Sequence, residues 1–467
     1  MSKPFKILFI KPNANVPNLS IGIPLGIMSL SAFLKKRFGQ KIAIDFVDLR
    51  FHLHEKQSLK QMLIKKKYDL IGISMLSFEE SFLDKNLPFI MQYANKTRIV
   101  VGGPYATAQY DLALSYEDVS CVVIGEGEIV LSNLIERWMN DDDINDIKGI
   151  AYRNGDNIIC NEREDYIHDL DQLPYPDYDL IDFKLYWKNH YNMNVILAAP
   201  EYAFVMSSRA CPYNCIYCHN MFGKIVRKKS PERFVDEIKL LYYQYGVREF
   251  HIIDDIFNLD RKRMHKILNL IIDSGMKIRL SMPNALRGDL LEKEDIDILK
   301  AAGAYMLHVA IESASKRIQR LTRKNLNIPK VLENIKYASS IGLITDGYFM
   351  LGFPTETIDE LKQTIDLAVH SSLDMVSFHV VVPFPGTEMY KLVLKMQPKY
   401  RPDISGRYLG VSTFYQSETG INVSHHQKIA YLRFYHPLRF LRLFLKSPWK
   451  ANLLEKFFLL SIGVIKS

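Results

Sequence analysis

Residues 211–220 read C-P-Y-N-C-I-Y-C-H-N, and their three cysteines have the spacing C-x3-C-x2-C. Cysteine thiolates are the usual ligands of iron–sulfur clusters, and three of them on one short loop can hold three corners of a four-iron cubane. The fourth iron then has no protein ligand and can bind and activate another molecule. The spacing therefore predicts a redox enzyme in which Cys211, Cys215 and Cys218 are catalytic as the ligands of the metal cluster.

Two other uses of the loop cysteines are open to the sequence. His219 follows Cys218 and would complete a Cys3His zinc site, although neighbouring loop residues rarely point at one metal. A disulfide is disfavoured because three cysteines are an odd number and nothing indicates an oxidising compartment. The remaining cysteines, Cys121 and Cys160, lie in apolar runs and are predicted to pack as small hydrophobic residues.

Length and composition are those of an ordinary globular protein. At 467 residues, two or more domains are expected, and the hydrophobic and charged fractions are 48% and 24%. The apolar run Ile7–Ile10 is too short for a signal peptide, and there is no run of about 18 apolar residues that would span a membrane. We therefore expect a cytoplasmic protein.

The first part of the chain, residues 1–140, alternates short apolar strands with helical patterns such as Gly26–Phe38 and Glu79–Ala94. This order is typical of a doubly wound, Rossmann-like parallel sheet. A ligand of such a sheet lies beyond the carboxyl ends of the strands. The predicted strands are Lys6–Lys11, Ile42–Asp48, Leu70–Ser74, Ile99–Val101 and Val122–Ile124.

Glycines follow two of these strands, at Gly102 and Gly103 and at Gly125 and Gly127 on either side of Glu126. Glycine lets the backbone approach a large ligand closely, although tight turns alone would also explain the pattern. The dinucleotide-binding form G-x-G-x-x-G is absent.

The middle of the chain, residues 141–195, opens with Asp141-Asp142-Asp143 and contains the proline and tyrosine connector Leu173–Tyr178. It is predicted to be a linker with some short strands. Residues 196–395 return to strand–helix alternation, which predicts an open, partial barrel of six βα repeats. Its predicted strands are Phe204–Ser207, Glu249–Ile253, Ile278–Met282, Met306–Ile311, Ile344–Leu351 and Val376–Val382.

Polar residues and turns recur at the carboxyl ends of these barrel strands, where the loops of such barrels carry the chemistry. Each has an ordinary explanation, as a helix N-cap, a surface carboxylate or a turn. Because the cysteine loop follows the first strand, we expect all of them to face one cavity. They are Asp254, Asp255, Arg287, Glu312, Ser313, Gly352–Pro354 and Pro383–Thr387.

Together these motifs resemble the radical S-adenosylmethionine enzymes, in the branch that carries an N-terminal cobalamin-binding domain. The cysteine loop with Tyr217 before its last cysteine is the specific signal, and the resemblance covers about residues 5–390. The other matching stretches are Arg227–Glu232, Asp236–Ile238, Ile252–Phe257, Ala310–Ser315, Leu351–Pro354, Gly22–Gly26, Val100–Pro104 and Gly125–Glu128.

The resemblance implies a mechanism and its cofactors. The open iron of a 4Fe–4S cluster chelates the amino and carboxylate groups of S-adenosylmethionine. One electron then breaks the sulfonium's bond to C5′, and the 5′-deoxyadenosyl radical takes a hydrogen atom from the substrate. The protein positions these cofactors and excludes water.

The resemblance also implies residue roles. Asp254 or Asp255 would hold the methionine ammonium group, and Glu312 would contact ribose or methionine polar groups. Gly352 and Pro354 would line the adenine with Tyr217 nearby, and Arg287 and Ser313 belong to the same predicted cofactor site. Gly102, Gly103, Gly125, Glu126 and Gly127 would border cobalamin.

The N-terminal domain departs from one pattern of its family. The motif D-x-H-x-x-G, whose histidine ligates cobalt, is absent, and Tyr105 stands where many relatives have histidine. The stretch Met75–Phe78 offers no metal ligand either. Cobalt in this branch often lacks a protein imidazole, so cobalamin remains the expected cofactor, with a degenerate domain as the alternative.

The last region, residues 396–467, is predicted to be helical, basic and amphipathic. It is predicted either to lie on an anionic membrane surface or to pack on the barrel or a dimer partner. The apolar residues are Leu438, Phe440, Leu441, Leu443, Phe444, Leu445, Leu453, Leu454, Phe457, Phe458, Leu459 and Leu460, and the cations Arg439, Arg442, Lys446, Lys450, Lys456 and Lys466.

The predicted function is methyl transfer to an unactivated carbon or phosphorus of a small or lipid-like molecule. Alternatives are cobalamin-assisted cyclisation, rearrangement or oxidation, radical chemistry without cobalamin, and a non-catalytic metal protein. The expected partners are the substrate and a low-potential electron donor such as flavodoxin or ferredoxin. The net charge is +8, but no nucleic-acid module is recognised, so we expect no nucleic-acid partner.

Overall fold

The computed structural model describes residues 3–14, 21–52, 54–189, 196–219, 221–402 and 419–465, with side chains described as far as Phe458. Of the predicted tail, residues 403–418, the side chains of Leu459 and Leu460, and Lys466 lie outside this description, as do linker residues 190–195. The strands are β1 Phe5–Lys11, β2 Ile42–Asp48, β3 Leu70–Ser74, β4 Arg98–Gly102, β5 Val119–Val123, β6 Ile150–Asn154, β7 Asn157–Cys160, β8 Tyr202–Val205, β9 Ser208–Arg209, β10 Arg227–Lys228, β11 Glu249–Ile252, β12 Arg279–Ser281, β13 Met306–Glu312, β14 Ile344–Leu351 and β15 Met375–Val380.

Helices follow most of these strands. They are α1 Leu25–Phe38, α2 Glu55–Lys65, α3 Ser81–Tyr93, α4 Pro104–Ala108, α5 Tyr110–Leu114, α6 Gly127–Met139, α7 Phe183–Lys188, α8 Pro231–Gln244, α9 Arg261–Asp273, α10 Lys293–Ala301, α11 Lys316–Leu321, α12 Ile328–Ser340, α13 Ile358–His370, α14 Glu388–Met396, α15 Val423–Phe434, α16 Pro437–Lys446 and α17 Lys450–Ile465.

The N-terminal sheet has the strand order β2-β1-β3-β4-β5-β6-β7. Its first five strands are parallel, and apolar side chains from both of their faces are buried. Residues of α1 and α6 form one core with the sheet, whereas residues of α2 to α5 form another. Helices therefore cover both faces, which confirms the predicted doubly wound architecture.

Two strands from the predicted linker extend this sheet, since β6 pairs antiparallel with β5 and β7 pairs antiparallel with β6. Cys160 lies at the end of β7 and is exposed, so the prediction that it packs in a core is wrong. The outer strand leaves its apolar residues half in solvent, and Ile158 is 40% exposed. Cys121 on β5 is fully buried, as predicted.

The second half of the chain forms a six-stranded parallel arrangement. One group of strands has the order β8-β11-β12 and the other β13-β14-β15, and isolated parallel bridges at Leu280–Ala304 and Leu286–Val309 join them. The helices between the strands pack their buried residues on the outside of this sheet. The predicted partial (β/α)6 barrel is thus confirmed, while the domain boundaries near 140, 195 and 395 stay predictions.

The C-terminal helices cover the edge strand β15. Tyr431 of α15 and Tyr435, directly after it, accept hydrogen bonds from the backbone N–H groups of Phe378 and Val376, and Gln427 donates to the Phe378 carbonyl. An uncovered edge would present unpaired backbone groups to other chains. The helical region therefore completes the barrel edge with side chains in place of a seventh strand.

The cations of α16 face inward. Arg439 donates to the carbonyls of Val369 and Ser371, while Arg442 and Lys446 both pair with the buried carboxylate of Asp374. Packing on the barrel, one of the two predicted alternatives, is therefore what the described tail does. Its outward residues are apolar, since Leu438, Leu441 and Leu445 are 74%, 52% and 67% exposed. Within the described ranges, no helix is both long and apolar enough to cross a bilayer.

Candidate functional site

The cysteine loop leaves β9 through Ala210, whose φ of +81° lies in the left-handed region. Its backbone is held at the middle, because Ile216 donates to the Thr322 carbonyl and accepts from the Met389 N–H. These two partners lie after β13 and after β15. The loop is therefore tied to segments that follow the carboxyl ends of the barrel strands, the face on which such barrels carry their chemistry.

The loop thiols are accessible, with Cys211 and Cys215 half-buried and Cys218 exposed. A hydrogen bond from Cys218 lowers the pKa of Cys215 to about 6, helped by the nearby Lys324 cation, whereas burial raises the pKa of Cys211. Among the described residues, no three His, Cys, Asp or Glu side chains are gathered closely enough to hold a metal ion. Three soft thiol donors on one loop nevertheless fit an iron–sulfur cluster by their chemistry, so the ligand set stays a prediction from the sequence.

Glu312 lies at the end of β13 beside the loop. Its φ is +68°, and the register of β13 against β14 shifts between Ala310 and Glu312. This irregularity turns a 9% exposed carboxylate toward Tyr217, whose hydroxyl donates to it at 3.3 Å, and toward Lys324 at 3.5 Å. Ser313 instead faces Thr364, with 3.2 Å between the two hydroxyl oxygens.

The two aspartates after β11 differ in availability. Asp254 is 2% exposed, and both its oxygens accept hydrogen bonds, from the N–H and hydroxyl of Ser207 and from the hydroxyl of Ser208. Asp255 is exposed, and among the described residues it accepts a hydrogen bond from the N–H of Ala210 alone, at 3.1 Å. Of the two carboxylates, Asp255 is therefore the one that faces outward at the root of the cysteine loop.

Arg287, after β12, stacks over the ring of Tyr213 with its guanidinium carbon 4.0 Å from the ring centroid. It also donates to the Lys324 and Asn325 carbonyls, so it braces the loop and does not extend freely from it. After β14, Gly352 has a φ of +88°, and its N–H donates to Glu356 at 2.6 Å. Pro354 in the same turn is buried.

The carboxyl edge of the N-terminal sheet is shaped by its glycines. A Cβ on Gly103 would lie 2.6 Å from the Met75 carbonyl oxygen, so no other residue fits there without a backbone shift. Gly125 has open space where a Cβ would be, and Gly102 is nearly as open. Gly103 is thus required by packing within the protein, whereas the open positions at Gly125 and Gly102 leave room for a ligand to approach the backbone. Tyr105 is fully buried in the core and is no cobalt ligand at the edge.

The edge is connected to the cysteine loop by four charged side chains, here called the interdomain clamp: Glu126, Glu128, Arg209 and Arg227. Arg209 contacts Glu128 at 2.6 Å and Glu126 at 3.1 Å, and Arg227 contacts Glu126 at 2.8 Å. Against the effect of burial, these guanidiniums hold the pKa of Glu126 below its usual value. Glu126, which the family resemblance places beside cobalamin, is thus also a partner of the two arginines, and no sequence motif indicates Arg209.

A second polar group was missed on the inner face of the barrel strands. The ring of His308 lies 3.0 Å from Asp346 and 3.0 Å from the hydroxyls of Ser281 and Tyr348. One oxygen of Asp346, Oδ1, is buried without a hydrogen-bond partner among the described residues. His379 lies beside the Tyr348 ring, and burial lowers its pKa. The sequence signal for this group is the presence of polar residues at alternate positions of otherwise apolar strands.

Comparison with known proteins agrees with this geometry. Residues 205–368 match the family model described as the radical SAM superfamily, and residues 18–135 match the B12 binding domain. The chain is 27% identical over 383 residues to an uncharacterised methyltransferase of Pyrococcus horikoshii, which covers 80% of this chain and 79% of that protein.

A relative with a different activity is similar over a comparable length. The chain is 24% identical over 397 residues to the anaerobic magnesium-protoporphyrin IX monomethyl ester cyclase of Rubrivivax gelatinosus, across 83% of this chain and 69% of that protein. Among solved structures, the radical S-adenosylmethionine methyltransferase TsrM from Kitasatospora setae, with cobalamin and a [4Fe–4S] cluster bound, has a TM-score of 0.69 at 17% identity, covering 84% of this chain and 75% of that one. At that identity the likeness is one of fold.

Proposed function

Because the chain is a radical S-adenosylmethionine enzyme with an N-terminal B12-binding domain, we propose that it transfers a methyl group to an unactivated carbon or phosphorus of a small or lipid-like molecule. When bound, the 4Fe–4S cluster with S-adenosylmethionine supplies one-electron chemistry and cobalamin supplies the methyl group. The methyltransferase relative supports this proposal. The cyclase relative supports the alternative, a cobalamin-assisted cyclisation or other oxidation.

One observation carries the proposal, an ion pair between the two halves of the chain. Arg209, two residues before Cys211, donates at 2.6 Å to Glu128, which lies in the first turn of α6 at the edge of the N-terminal sheet. The candidate cluster loop and the candidate corrinoid edge therefore meet at one interface. Transfer of a group between two cofactors needs this proximity, because reacting atoms must approach to about 3–3.5 Å. Neither domain alone provides both sites.

We assign the roles at the cluster side as follows. Cys211, Cys215 and Cys218 hold the cluster, and Asp255, the outward carboxylate of its pair, receives the methionine ammonium group. Glu312, oriented by Tyr217, accepts hydrogen bonds from the ribose or the methionine. Charge-assisted hydrogen bonds of this kind are among the strongest that proteins make. Gly352 and Pro354 border the adenine, while Arg287 braces the loop and Ser313 supports the turn.

On the other side of the interface, Gly102, Gly103, Gly125 and Gly127 border the corrinoid. The position after Gly102-Gly103-Pro104 offers no imidazole to cobalt, since the buried Tyr105 occupies it. The inner barrel face, with His379 and Tyr348, is the proposed surrounding of the substrate. A cobalamin-independent reaction with a degenerate N-terminal domain would leave these glycines without a ligand.

The proposal is tested without knowing the substrate. The protein is reconstituted anaerobically with iron, sulfide and hydroxocobalamin, reduced with titanium(III) citrate, and given S-adenosylmethionine that carries a CD3 methyl group. We expect four irons per chain, 5′-deoxyadenosine, and trideuterated methylcobalamin detected by mass spectrometry. Cys215→Ala should lose all three. Bound corrinoid and 5′-deoxyadenosine without labelled methylcobalamin would favour the oxidative alternative, and zinc in place of iron would contradict both.

Reduction of the cluster needs an electron donor, for which we propose flavodoxin or ferredoxin. The exposure of Cys218 supports an open approach to the cluster from outside the loop. Replacing titanium(III) citrate by flavodoxin, its reductase and NADPH should support 5′-deoxyadenosine formation. No product above the level without flavodoxin would contradict this partner.

We also propose that the exposed leucines of α16 contact an apolar surface such as the cytoplasmic face of a membrane. The inward turn of Arg439, Arg442 and Lys446 leaves apolar area, not charge, to carry this contact. Co-sedimentation with phosphatidylglycerol–phosphatidylcholine vesicles should fall when Leu438, Leu441 and Leu445 are changed to glutamine. Ile64→Gln, at a residue 63% exposed on α2, is the matched control.

A further inference from the structure

We infer that the interdomain clamp is a positioning device that couples corrinoid binding in the N-terminal domain to S-adenosylmethionine binding at the cysteine loop. The inference rests on the two cofactor sites of the proposed function, but it does not depend on which group is transferred. None of the four side chains touches a reacting atom in this role. They act through the backbone segments that they hold.

The clamp is a buried network of opposite charges. The side chains of Arg209 and Glu128 are 10% and 6% exposed, and those of Arg227 and Glu126 are 3% and 6% exposed. Glu126 Oε2 also accepts from the N–H of Ile167, so its carboxylate is held from a third side. Removing one partner of a buried ion pair is strongly destabilising, because an uncompensated charge remains. The two segments are therefore joined by ion pairs in which each charge needs its partner.

The carboxylates of the clamp offset a repulsion between its two arginines. Strands β9 and β10 form a two-residue antiparallel ladder in which Arg209 lies directly opposite Arg227. Like charges at opposed positions of a ladder are destabilising. Glu126 contacts both guanidiniums and so removes this repulsion. The shape of the ladder that leads into the cysteine loop thus depends on a residue of the other domain.

On the cluster side, the clamp acts at the root of the loop. Arg209 is followed by Ala210 in its left-handed conformation and then by Cys211, so the residue of the first thiol lies two positions from the clamp, at most about 7 Å along the chain. The Ala210 N–H is held by Asp255, the carboxylate that we assign to the ammonium group of S-adenosylmethionine. A shift of Arg209 therefore moves both the first thiol and this carboxylate.

On the corrinoid side, the clamp acts at the glycine edge. Gly125 has a φ of +79°, and its N–H is fixed by the Thr107 hydroxyl at 3.0 Å. Glu126 is the N-cap of α6 and Glu128 lies in its first turn. A ligand that contacts this turn contacts the residues that carry the clamp carboxylates. Each cofactor thus biases the position of the segment that the other one needs.

Coupling between two binding sites is reciprocal, and in proteins it changes affinity by roughly 5- to 150-fold. The measurement is equilibrium dialysis of hydroxocobalamin with the cluster-loaded protein, in the presence and absence of S-adenosylmethionine and without reductant, so that no turnover occurs. We expect the dissociation constant of the wild-type protein to change by a factor in this range.

The main variant is the charge-balanced double substitution Arg209→Gln with Glu128→Gln. It leaves no lone buried charge, and Glu126 still pairs with Arg227, so the protein should fold and retain four irons per chain. The ratio of the two hydroxocobalamin dissociation constants, measured with and without S-adenosylmethionine and here called the affinity ratio, should become about 1. Glu128→Gln alone, in which Glu126 still faces both arginines, should bring the affinity ratio part of the way from the wild-type value to 1. Lys228→Met is the matched control, because Lys228 follows Arg227 in β10 but pairs with Asp260 outside the clamp at 2.7 Å.

A second readout separates positioning from a merely structural role. Pulsed electron paramagnetic resonance measures the separation between cob(II)alamin and the reduced cluster. The wild-type protein should give one narrow distribution of this distance. The distribution should broaden in the double variant and stay narrow in Lys228→Met.

The outcomes are distinguishable. An unchanged affinity ratio and an unchanged distribution in an iron-loaded double variant would overturn the inference. An affinity ratio near 1 in a wild-type protein that forms labelled methylcobalamin would also overturn the inference. That result would leave the proposed function intact. A wild-type protein that binds no hydroxocobalamin would overturn both.

Discussion

The hydroxyl of Tyr217 donates a hydrogen bond to Oε1 of Glu312 across 3.3 Å, and so joins the cysteine loop to the end of β13. The contact fixes one lone pair of a carboxylate oxygen that Lys324 also approaches, at 3.5 Å. Among the described residues no hydrogen bond reaches the other oxygen, Oε2, which leaves it open to a ligand. The orientation of Glu312 therefore depends on the residue that precedes the last cysteine of the motif.

Tyr217→Phe should weaken S-adenosylmethionine binding while the cluster is retained. A hydrogen bond to a charged group contributes about 1.5–3 kcal/mol, so the KM for S-adenosylmethionine in 5′-deoxyadenosine formation should rise about tenfold or more. Tyr213→Phe is the matched control, because the ring that stacks on Arg287 is kept. An unchanged KM in Tyr217→Phe would show that Glu312 needs no help from this hydroxyl.

Glu356 makes the turn after β14 sensitive to pH. Burial raises the pKa of this carboxyl from its ordinary 4.5 to about 7, although it accepts hydrogen bonds from the N–H groups of Gly352 and Phe353. Between about pH 4.5 and 7 the folded protein therefore holds a proton that the unfolded chain has lost. Stability should fall as pH rises through this window, by an amount of about 3 kcal/mol for this group.

Glu356→Gln should remove this pH dependence and should be more stable than the wild-type protein at pH 8 in urea unfolding. Glu360→Gln is the control with the opposite sign. The hydrogen bond from Arg317 lowers the pKa of Glu360 to about 2, so its contribution is present above about pH 4.5 and is lost as pH falls toward 2. A wild-type stability that stays flat from pH 4.5 to 7 would contradict the Glu356 prediction.

The strands were predictable because their signal is local. Runs such as Ile344–Leu351 and Ile42–Asp48 are bounded by turn residues and agree with β14 and β2. The clamp was not predictable, since Glu128 and Arg209 are 81 residues apart, and the Gly125–Glu128 motif does not indicate an arginine partner. Only the docking of two domains brings them together. Charge composition along the chain contains no information about such partners.

The orientation of the C-terminal helix α16 could not be predicted from its local sequence either. The alternation of leucine and arginine from Leu438 to Leu445 fixes an amphipathic helix, but not which face is turned inward. In isolation the cations would face water, because burying a charge without a partner is costly. The buried Asp374 supplies the partner for Arg442 and Lys446 and reverses this expectation. That residue is about 70 positions away, so no local pattern indicates it.

Cys160 should be the first of the non-motif cysteines to react with iodoacetamide in the native protein. It is exposed, whereas Cys121 is fully buried and its pKa is raised to about 12 by desolvation. Thiolate and access are both needed for alkylation. Peptide mass spectrometry after a short treatment should find Cys160 modified and Cys121 intact, with both modified in guanidinium chloride. Equal labelling of the two in the native protein would contradict the pairing of β6 and β7 with the sheet.

Asp374 should be the residue on which attachment of the C-terminal helices most depends. Its side chain is fully buried and receives Arg442 at 2.5 Å, Lys446 at 2.8 Å and the backbone N–H of Thr345 at 2.9 Å. Asp374→Ala leaves the mostly buried Lys446 and the partly exposed Arg442 without their counter-charge, so we expect a loss of about 3 kcal/mol in urea unfolding. Amide hydrogen exchange should quicken across α15 and α16 while the N-terminal sheet keeps its protection.

Asp366→Ala is the matched control for this prediction. Asp366 pairs with Arg433 of α15 at 2.8 Å, but both side chains are about half exposed, at 50% and 43%. Exposed ion pairs contribute about 0–1 kcal/mol because water and salt screen them. If the two variants lose similar stability, the tail is held by its apolar contacts and not by the buried carboxylate. If only Asp374→Ala releases the helices, the inward cations hold the tail on the barrel, and the exposed leucines are left free for an apolar surface.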